Sequence, residues 1–178
     1  LDGLADGYDP AVIQLLLGIA RRYRTASVQE KARLLVERIA QGKGWSQDQL
    51  GDRTIPTGGF DDSGRLELSY GERVFVVTLD GAMKPVLHNP DGKEIKVLPE
   101  PRQDEAPELA KEAKQQLSSS KKELKQVITM QTARLYEAMC AGRVWPAGDW
   151  SEYLLRHPIV GRLVQSLVWI CEDDSGQT

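Results

Sequence analysis

A change in hydrophobic period limits the folds open to this chain more than any other feature. Between residues 65 and 98, apolar side chains alternate with polar ones in short runs separated by turns, which is typical of a small sheet. From Asp104 to Gly142 the apolar residues recur every three or four positions, which predicts one long amphipathic helix. Because such a helix cannot bury its apolar stripe against itself, it must pack on the sheet, on other helices or on a partner.

The central sheet is predicted to be an antiparallel meander of four strands. Leu66, Leu68 and Tyr70 alternate with polar residues, so the first strand is expected to be half-buried. The run VFVVTL that follows is apolar on both faces, which places it inside the sheet. Pro90 and Gly92 suit the last tight turn, because proline presets one backbone angle and glycine tolerates a positive φ.

The amino-terminal part, residues 1–44, is predicted to be a helical hairpin. Asp9 followed by Pro10 is a typical helix start, and Ser27 with Glu30 three positions later is a capping-box pattern for a second helix. The hairpin could equally be the end of a helical repeat array. The chain begins without a methionine and stops shortly after an apolar run, so we expect it to be part of a longer protein.

The remaining residues, 45–178, are predicted to form one packed unit. Trp145-Pro146 begins a short helix, and the periodic segment Ile159–Ile170 is expected to be a second one that lies in the core. Ser118–Ser120 mark a candidate break in the long helix. The predicted fold class is therefore α+β, with a helical hairpin, a four-stranded antiparallel meander, a long helix and two shorter C-terminal helices.

Composition narrows the possible functions. The chain has 178 residues, is 40% hydrophobic and carries a formal charge of −3, which allows a sizeable core and disfavours general attraction to nucleic acid. No stretch is long and apolar enough to span a membrane, and no secretion leader is visible, so a cytoplasmic location is expected. The densest basic cluster, Arg21, Arg22 and Arg24, is a candidate nucleic-acid contact, although cations also suit a helix C-terminus.

The sequence contains no recognisable catalytic constellation. His88 and His157 both lie beside turns, and no partner that would position either as a general base is evident. Asp61 and Asp62 lack the ligand spacing of a calcium loop, so they are interpreted as turn residues. Neither Cys140 nor Cys171 has partners at zinc-ligand spacing. We therefore predict no catalytic residue, no metal site and no cofactor.

Four segments together carry a family resemblance: GWSQDQLGDRTIPTGGFDDSGRLELSYG, VVTLDGAMKPVLHNPDGKEIKVLPEP, LYEAMCAGRVWPAGDW and RHPIVGRLVQSLVW. In this order they resemble a bacterial domain of unknown function. That domain occurs in large proteins, some of which carry a WGR module, that are named as regulators of molybdate metabolism. The resemblance covers most of the chain from about Gly44 onward. It implies a regulatory role and supplies no catalytic residue.

Polar residues in the DRTIPT loop and in the turn that follows the long helix are the predicted ligand-binding site. Such segments commonly carry ligand contacts on a rigid scaffold. The candidates are Asp52, Arg53, Thr54, Thr57, Arg143 and Trp145. Alternatively, Asp52 and Arg53 only tie the loop to neighbouring groups.

Three functions follow as hypotheses. The first is a non-catalytic structural or protein-interaction module of a large bacterial protein, which contacts other domains or protein partners through its long helix. The second is part of an enzyme or ligand-binding protein for nucleotide or ADP-ribose, suggested by the association of WGR modules with ADP-ribosyl transferases. The third is an accessory nucleic-acid contact. A polar pocket containing Arg53 and Arg143 would favour the second, and an apolar strip on the long helix would favour the first.

Overall fold

A computed structural model describes residues 15, 16, 18–20, 23 and 25–172 of the chain. The predicted α+β class is confirmed. Residues 15, 16 and 18–20 are helical, whereas the predicted helix start at Asp9 and Pro10 lies outside the described residues. The labelled elements, in chain order, are α1 (Ala26–Lys43), α2 (Gln47–Arg53), β1 (Leu66–Ser69), β2 (Val74–Leu79), β3 (Pro85–His88), β4 (Glu94–Ile95), α3 (Pro107–Cys140), α4 (Ala147–Asp149), a π-helical turn (Trp150–Leu155) and α5 (Val160–Val164).

The sheet is the predicted antiparallel meander, with strand order β1-β2-β3-β4. Leu66 pairs with Val77, and Leu87 pairs with both Val77 and Ile95, so β2 and β3 are the inner strands. Alternate residues of β2 are fully buried, and those between them are half-buried. Helix α3 and β1 pack together, so the buried face of the sheet meets the long helix.

Helix α3 runs without interruption for 34 residues, about 51 Å at the usual rise per residue. The candidate break at Ser118–Ser120 is therefore wrong. Ser120 is buried, and its Oγ donates a hydrogen bond to the Gly58 carbonyl, so the hydroxyl is satisfied by a neighbouring loop instead of by a carbonyl of its own helix. The predicted apolar stripe of α3, called its seam from here on, is the inward face of the helix. Its buried residues are Ala110, Ala113, Ser120, Leu124, Val127, Gln131 and Ala138.

Two clusters of buried side chains make up the core. The larger lies between the sheet, α3 and α5 and includes Phe60, Phe75 and Leu124. The smaller joins α1 to the π-helical turn, because Leu35 and Ile39 pack with Tyr153. Burial of this kind contributes about 1.5–3 kcal/mol for each large apolar side chain.

The predicted core helix Ile159–Ile170 is wrong over its second half. Helix α5 ends at Val164, and Leu167, Val168 and Ile170 are exposed, Val168 by 96%. The indole of Trp169 donates to the Val164 carbonyl at 2.7 Å and packs edge-on against Trp145 and Trp150. These contacts hold the chain away from a continued helical path. Both cysteines, Cys140 and Cys171, are exposed.

The start of α5 is fixed by His157. Its Nδ1 accepts hydrogen bonds from the backbone N–H groups of Ile159 and Val160, each at 3.1 Å, and its Nε2 lies 3.2 Å from the Ile55 carbonyl. The ring thus satisfies two helix-start donors and fastens α5 to the loop after α2. A Cβ on Gly161 would lie 2.3 Å from the Leu155 carbonyl oxygen, so only glycine fits this close approach.

Candidate functional site

Helix α2 places the two central candidates, Asp52 and Arg53. The helix starts with a capping box, in which Ser46 Oγ accepts from the Gln49 N–H at 3.1 Å and Gln49 Oε1 accepts from the Ser46 N–H at 3.0 Å. The helix then continues through Arg53, so the assignment of these two residues to a loop is wrong. Both are buried in its last turn.

Asp52 is the centre of an ionic cluster. Its Oδ1 accepts from Arg134 Nη2 at 2.9 Å, and its Oδ2 accepts from Arg143 Nη2 at 2.5 Å and from Trp145 Nε1 at 2.9 Å. We call Asp52, Arg134, Arg143 and Trp145 the Asp52 cluster. Asp48 lies at its exposed edge, 3.9 Å from Arg134 and 3.6 Å from Arg143. The carboxylate is directed at three donors, which ties α2 to α3 and to the segment after α3.

Arg53 forms a second attachment next to this cluster. Its Nη2 donates to Asp149 Oδ2 at 2.7 Å, and its Nη1 donates to the Gln49 carbonyl at 3.1 Å. The guanidinium lies 4.5 Å from the ring centre of Trp45 and 4.8 Å from that of Tyr153. Stacking of this kind adds cation–π attraction to the ion pair. Arg53 therefore links α2 to α4 and to the π-helical turn.

The two threonines do not join the Asp52 cluster. Thr54 Oγ1 donates to the Leu50 carbonyl of its own helix at 2.8 Å. Thr57 is fully buried, and within the described part of the chain its hydroxyl has no hydrogen-bond partner. Of the six predicted ligand-binding residues, the structure thus brings Asp52, Arg143 and Trp145 together and places Arg53 beside them.

Sequence reasoning missed Arg134 and Asp149. Arg134 is 82 positions from Asp52, and Asp149 is 96 positions from Arg53, so no local spacing connects them. The one available sequence signal was Gln131, a polar residue on the otherwise apolar inward face of α3, three positions before Arg134. In the structure the two side chains are hydrogen-bonded at 3.2 Å. The predicted nucleic-acid contacts Arg21, Arg22 and Arg24 lie outside the described residues.

A polar cavity of about 620 Å³ lies elsewhere, beside α5. Its lining includes Asp62, Glu152, Arg156 and Arg162, and neither Arg53 nor Arg143 belongs to it. Arg162 Nη1 donates to the Asp80 carbonyl at 2.8 Å. The cavity and the Asp52 cluster are therefore separate features, and this cavity is not the polar pocket containing Arg53 and Arg143 that would favour the ligand-binding hypothesis.

Among the described residues, no three His, Cys, Asp or Glu side chains are grouped so that they could hold a metal ion. His88 Nε2 lies 3.0 Å from Thr78 Oγ1, a contact between residues on paired strands that is common in sheets. No helix in the part of the chain that the structure describes combines the length and apolar character needed to cross a bilayer.

The fold and its polar centre define an α+β domain whose charged residues hold its own elements together. Residues 92–178 match the sequence model of a family described as "Domain of unknown function (DUF4132)". The predicted resemblance to a domain of unknown function is thereby confirmed over this part of the chain, which contains α3, α5 and the Asp52 partners Arg134, Arg143 and Trp145.

One bacterial relative extends the similarity over nearly the whole chain. The chain is 32% identical over 161 residues to "Uncharacterized protein YehI" of Escherichia coli (strain K12). The alignment covers 90% of this chain and 13% of the relative, so the chain spans about one eighth of the length of the protein it matches. No solved structure gives a significant match.

Proposed function

We propose that this chain is a non-catalytic structural or protein-interaction module of a large bacterial multidomain protein. Its partners are other domains of that protein and further proteins, in the cytoplasm. Following the family resemblance, the whole protein would act as a regulator of molybdate metabolism. The observation that carries the proposal is the exposed apolar surface on the last turns of α3, where Tyr136 is 64% and Met139 67% exposed.

Exposed apolar side chains on a long helix favour docking. Tyr136 and Met139 are three positions apart on α3, so they are neighbours on its surface. Val144, just after the helix, is exposed as well. Single exposed apolar residues are ordinary, whereas contiguous exposed apolar patches are typical of interaction surfaces.

The use of the polar groups supports the same reading. Asp52 and Arg53 were the strongest candidates for ligand contacts, and their side chains are bound to Arg134, Arg143 and Asp149. A carboxylate that already accepts from two guanidinium groups and an indole stabilises the packing of helices. This use of charge suits a building block better than a reaction centre.

The proposal can be tested by dividing the full-length protein that contains this chain. Residues 1–178 and the remaining polypeptide would be expressed separately and mixed, and their association measured by analytical ultracentrifugation. We expect a complex, because a module of this kind contacts its neighbouring domains. Two pieces that stay apart at 100-micromolar concentration, about the scale at which weak domain contacts are detected, would contradict the proposal.

A ligand-binding function is the second candidate, and the polar cavity favours it. Small-molecule sites commonly enclose about 300–1,000 Å³, and the cavity beside α5 falls within this range. Arg156 and Arg162 supply guanidinium groups that suit the phosphates of a nucleotide or of ADP-ribose.

Thermal unfolding with ATP, ADP-ribose or molybdate tests this second candidate. A ligand that binds the native state raises the melting temperature, by an amount that corresponds to about 2.7 kcal/mol at a hundred times its Kd. The rise should be lost in Arg156→Gln and kept in Arg65→Gln, a control outside the cavity lining. No rise with any of the three compounds would remove this candidate.

A further inference from the structure

One face of α3 changes its chemistry partway along the helix. A row of exposed residues follows the helix at steps of three or four: Lys111, Lys114, Ser118, Lys122, Lys125, Thr129, Ala133, Tyr136 and Cys140. We call this set the outer row; it lies opposite the buried seam. Its first five positions include four lysines, and its last four carry no charge.

Building on the proposed function, we propose that the outer row is the docking surface for one segment of the same long polypeptide. That segment presents acidic side chains to the lysine half and apolar side chains to the half from Thr129 to Cys140.

Charge complementarity identifies the chemistry of the occupant. Lys122 and Lys125 are exposed, and no ion pair or hydrogen bond of either ammonium group occurs among the described residues. Lys114 has a partner, Glu100, at 2.7 Å, but that carboxylate is itself largely exposed. Aligned lysines raise the local positive potential, which attracts an acidic segment and repels a basic one. The uncharged end then accepts apolar side chains without leaving a buried charge unpaired.

A second copy of this chain fits the outer row poorly. If two copies paired in parallel, the lysine halves would face each other and repel. If they paired antiparallel, the ammonium groups of one copy would be covered by Tyr136 and Ala133 of the other, which removes water from the charges and provides no partner. The row is thus complementary to a different sequence.

The size of the row favours an occupant on the same polypeptide. A stable complex of separate proteins usually uses about 20–30 residues on each side, whereas the outer row has nine. A segment tethered in the same chain has an effective concentration on the order of millimolar, so a small surface is sufficient. The relative of this chain offers such segments, since 87% of its length lies outside the aligned part.

Two native cysteines provide the test. Cys140 ends the outer row and Cys171 lies outside it, and both are exposed. Maleimide labelling of each cysteine, quantified by peptide mass spectrometry, would be compared between the full-length protein and residues 1–178. We expect Cys140 to react at least tenfold more slowly in the full-length protein, with the labelling of Cys171 serving as the internal reference.

Variants of the full-length protein connect the protection to the row. Tyr136→Lys, and separately Lys122→Glu with Lys125→Glu, should restore Cys140 labelling, whereas Leu34→Lys and Lys96→Glu, exposed controls on α1 and after β4, should not. Circular dichroism melting curves would verify that each variant is folded.

The outcomes separate the two proposals. If the divided protein reassembles but Cys140 labels equally in both forms, the module function stands and the outer row is not its docking surface. If Cys140 is protected only at high protein concentration, the occupant is a second copy, which also overturns the inference. If the pieces do not associate and Cys140 is unprotected, both proposals fail.

Discussion

Ion pairs hold both ends of α3, but the ratio of cations to anions differs between the two ends. At the N-terminal end, Arg73 binds Glu105 through two nitrogen–oxygen contacts, of which the Nη2–Oε2 distance is 2.5 Å. At the C-terminal end, one buried carboxylate, Asp52, holds Arg134 and Arg143 together. One cation meets one anion in the first case, whereas two cations depend on a single buried anion in the second. Removing the anion should therefore cost far more at the C-terminal end.

The region between the two ends is held by apolar packing. Leu124 and Val127 are buried in the main core, and Ser120 reaches the Gly58 carbonyl. Nondirectional packing tolerates small shifts, whereas the ion pairs at the ends require specific partners. The ends therefore set the orientation of α3 on the sheet, and the middle supplies most of the buried apolar area.

The largest expected effect is that of Asp52→Ala. The change leaves Arg134 and Arg143 without their shared carboxylate in a largely enclosed site, so the free energy of unfolding should fall by about 3–5 kcal/mol. Denaturation by guanidinium chloride, followed by circular dichroism, measures the loss. Asp48→Ala is the matched control, because Asp48 contacts the same arginines from an exposed position; it should change stability by less than about 1 kcal/mol. Equal losses in both variants would contradict the dependence of Arg134 and Arg143 on the buried carboxylate of Asp52.

Leu124→Ala should follow, with a loss of about 2–4 kcal/mol. Leu124 is 3% exposed and packs in the main core, so the truncation removes buried apolar surface and leaves a cavity. The same denaturation experiment applies, with Lys125→Ala, the exposed next residue on α3, as the control that stays within about 0.5 kcal/mol. A loss below 1 kcal/mol for Leu124→Ala would show that the middle of α3 contributes less than its burial indicates.

Ser120→Ala tests the single polar contact in the middle of the helix. The substitution removes the donor to the Gly58 carbonyl inside the core, which should lower the free energy of unfolding by about 1–2 kcal/mol. Ser119→Ala, at an exposed neighbouring position, is the control. If Ser120→Ala were neutral while Leu124→Ala was not, packing alone would hold the middle of α3.

Hydrophobic periodicity predicted the meander and α3 correctly. It failed at the end of α5, where the helix boundary depends on tertiary contacts of a single side chain. The meander and α3 follow from alternation and from three-four spacing, which are local properties of residues 65–98 and 104–142. The end of α5 at Val164 depends on Trp169 packing against Trp145 and Trp150. The hydrophobic pattern of residues 159–170 alone does not predict these contacts.

The candidate site shows the same division. Asp52, Arg143 and Trp145 were chosen because they are polar or amphipathic residues outside the regular pattern, and the structure brings them together. The pairing of Asp52 with Arg134 depends on α2 lying against the C-terminal half of α3, a tertiary contact between residues 82 positions apart. Sequence spacing alone therefore could not have distinguished a ligand-binding site from a set of ion pairs between helices of the same chain.

The smallest expected effect concerns the N-terminal end and depends on pH. Hydrogen bonding from Arg73 lowers the pKa of Glu105 from 4.5 to about 2, with a further contribution from the Arg102 backbone N–H. The unfolded chain therefore binds this proton more readily than the folded chain, so the stabilisation is complete above pH 4.5 and is lost as pH falls towards 2. Arg73→Gln removes the charged donor, and the pKa of Glu105 should return towards its usual value.

The wild type should thus have a larger free energy of unfolding than Arg73→Gln at pH 6, and this difference should shrink to almost nothing near pH 2. Urea titrations across this pH range measure the difference. The effect ranks last because Arg73→Gln removes only the charged donor and leaves the buried core intact. In the wild type the Arg73 guanidinium also lies 5.3 Å from the ring centre of Phe75 on β2. Lys114→Gln, which breaks the exposed pair with Glu100, is the control and should leave the pH profile parallel to that of the wild type. A wild-type advantage that stayed constant down to pH 2 would mean that Arg73 stabilises this end of α3 by packing on aromatic rings, and the comparison between the two ionic ends would no longer hold.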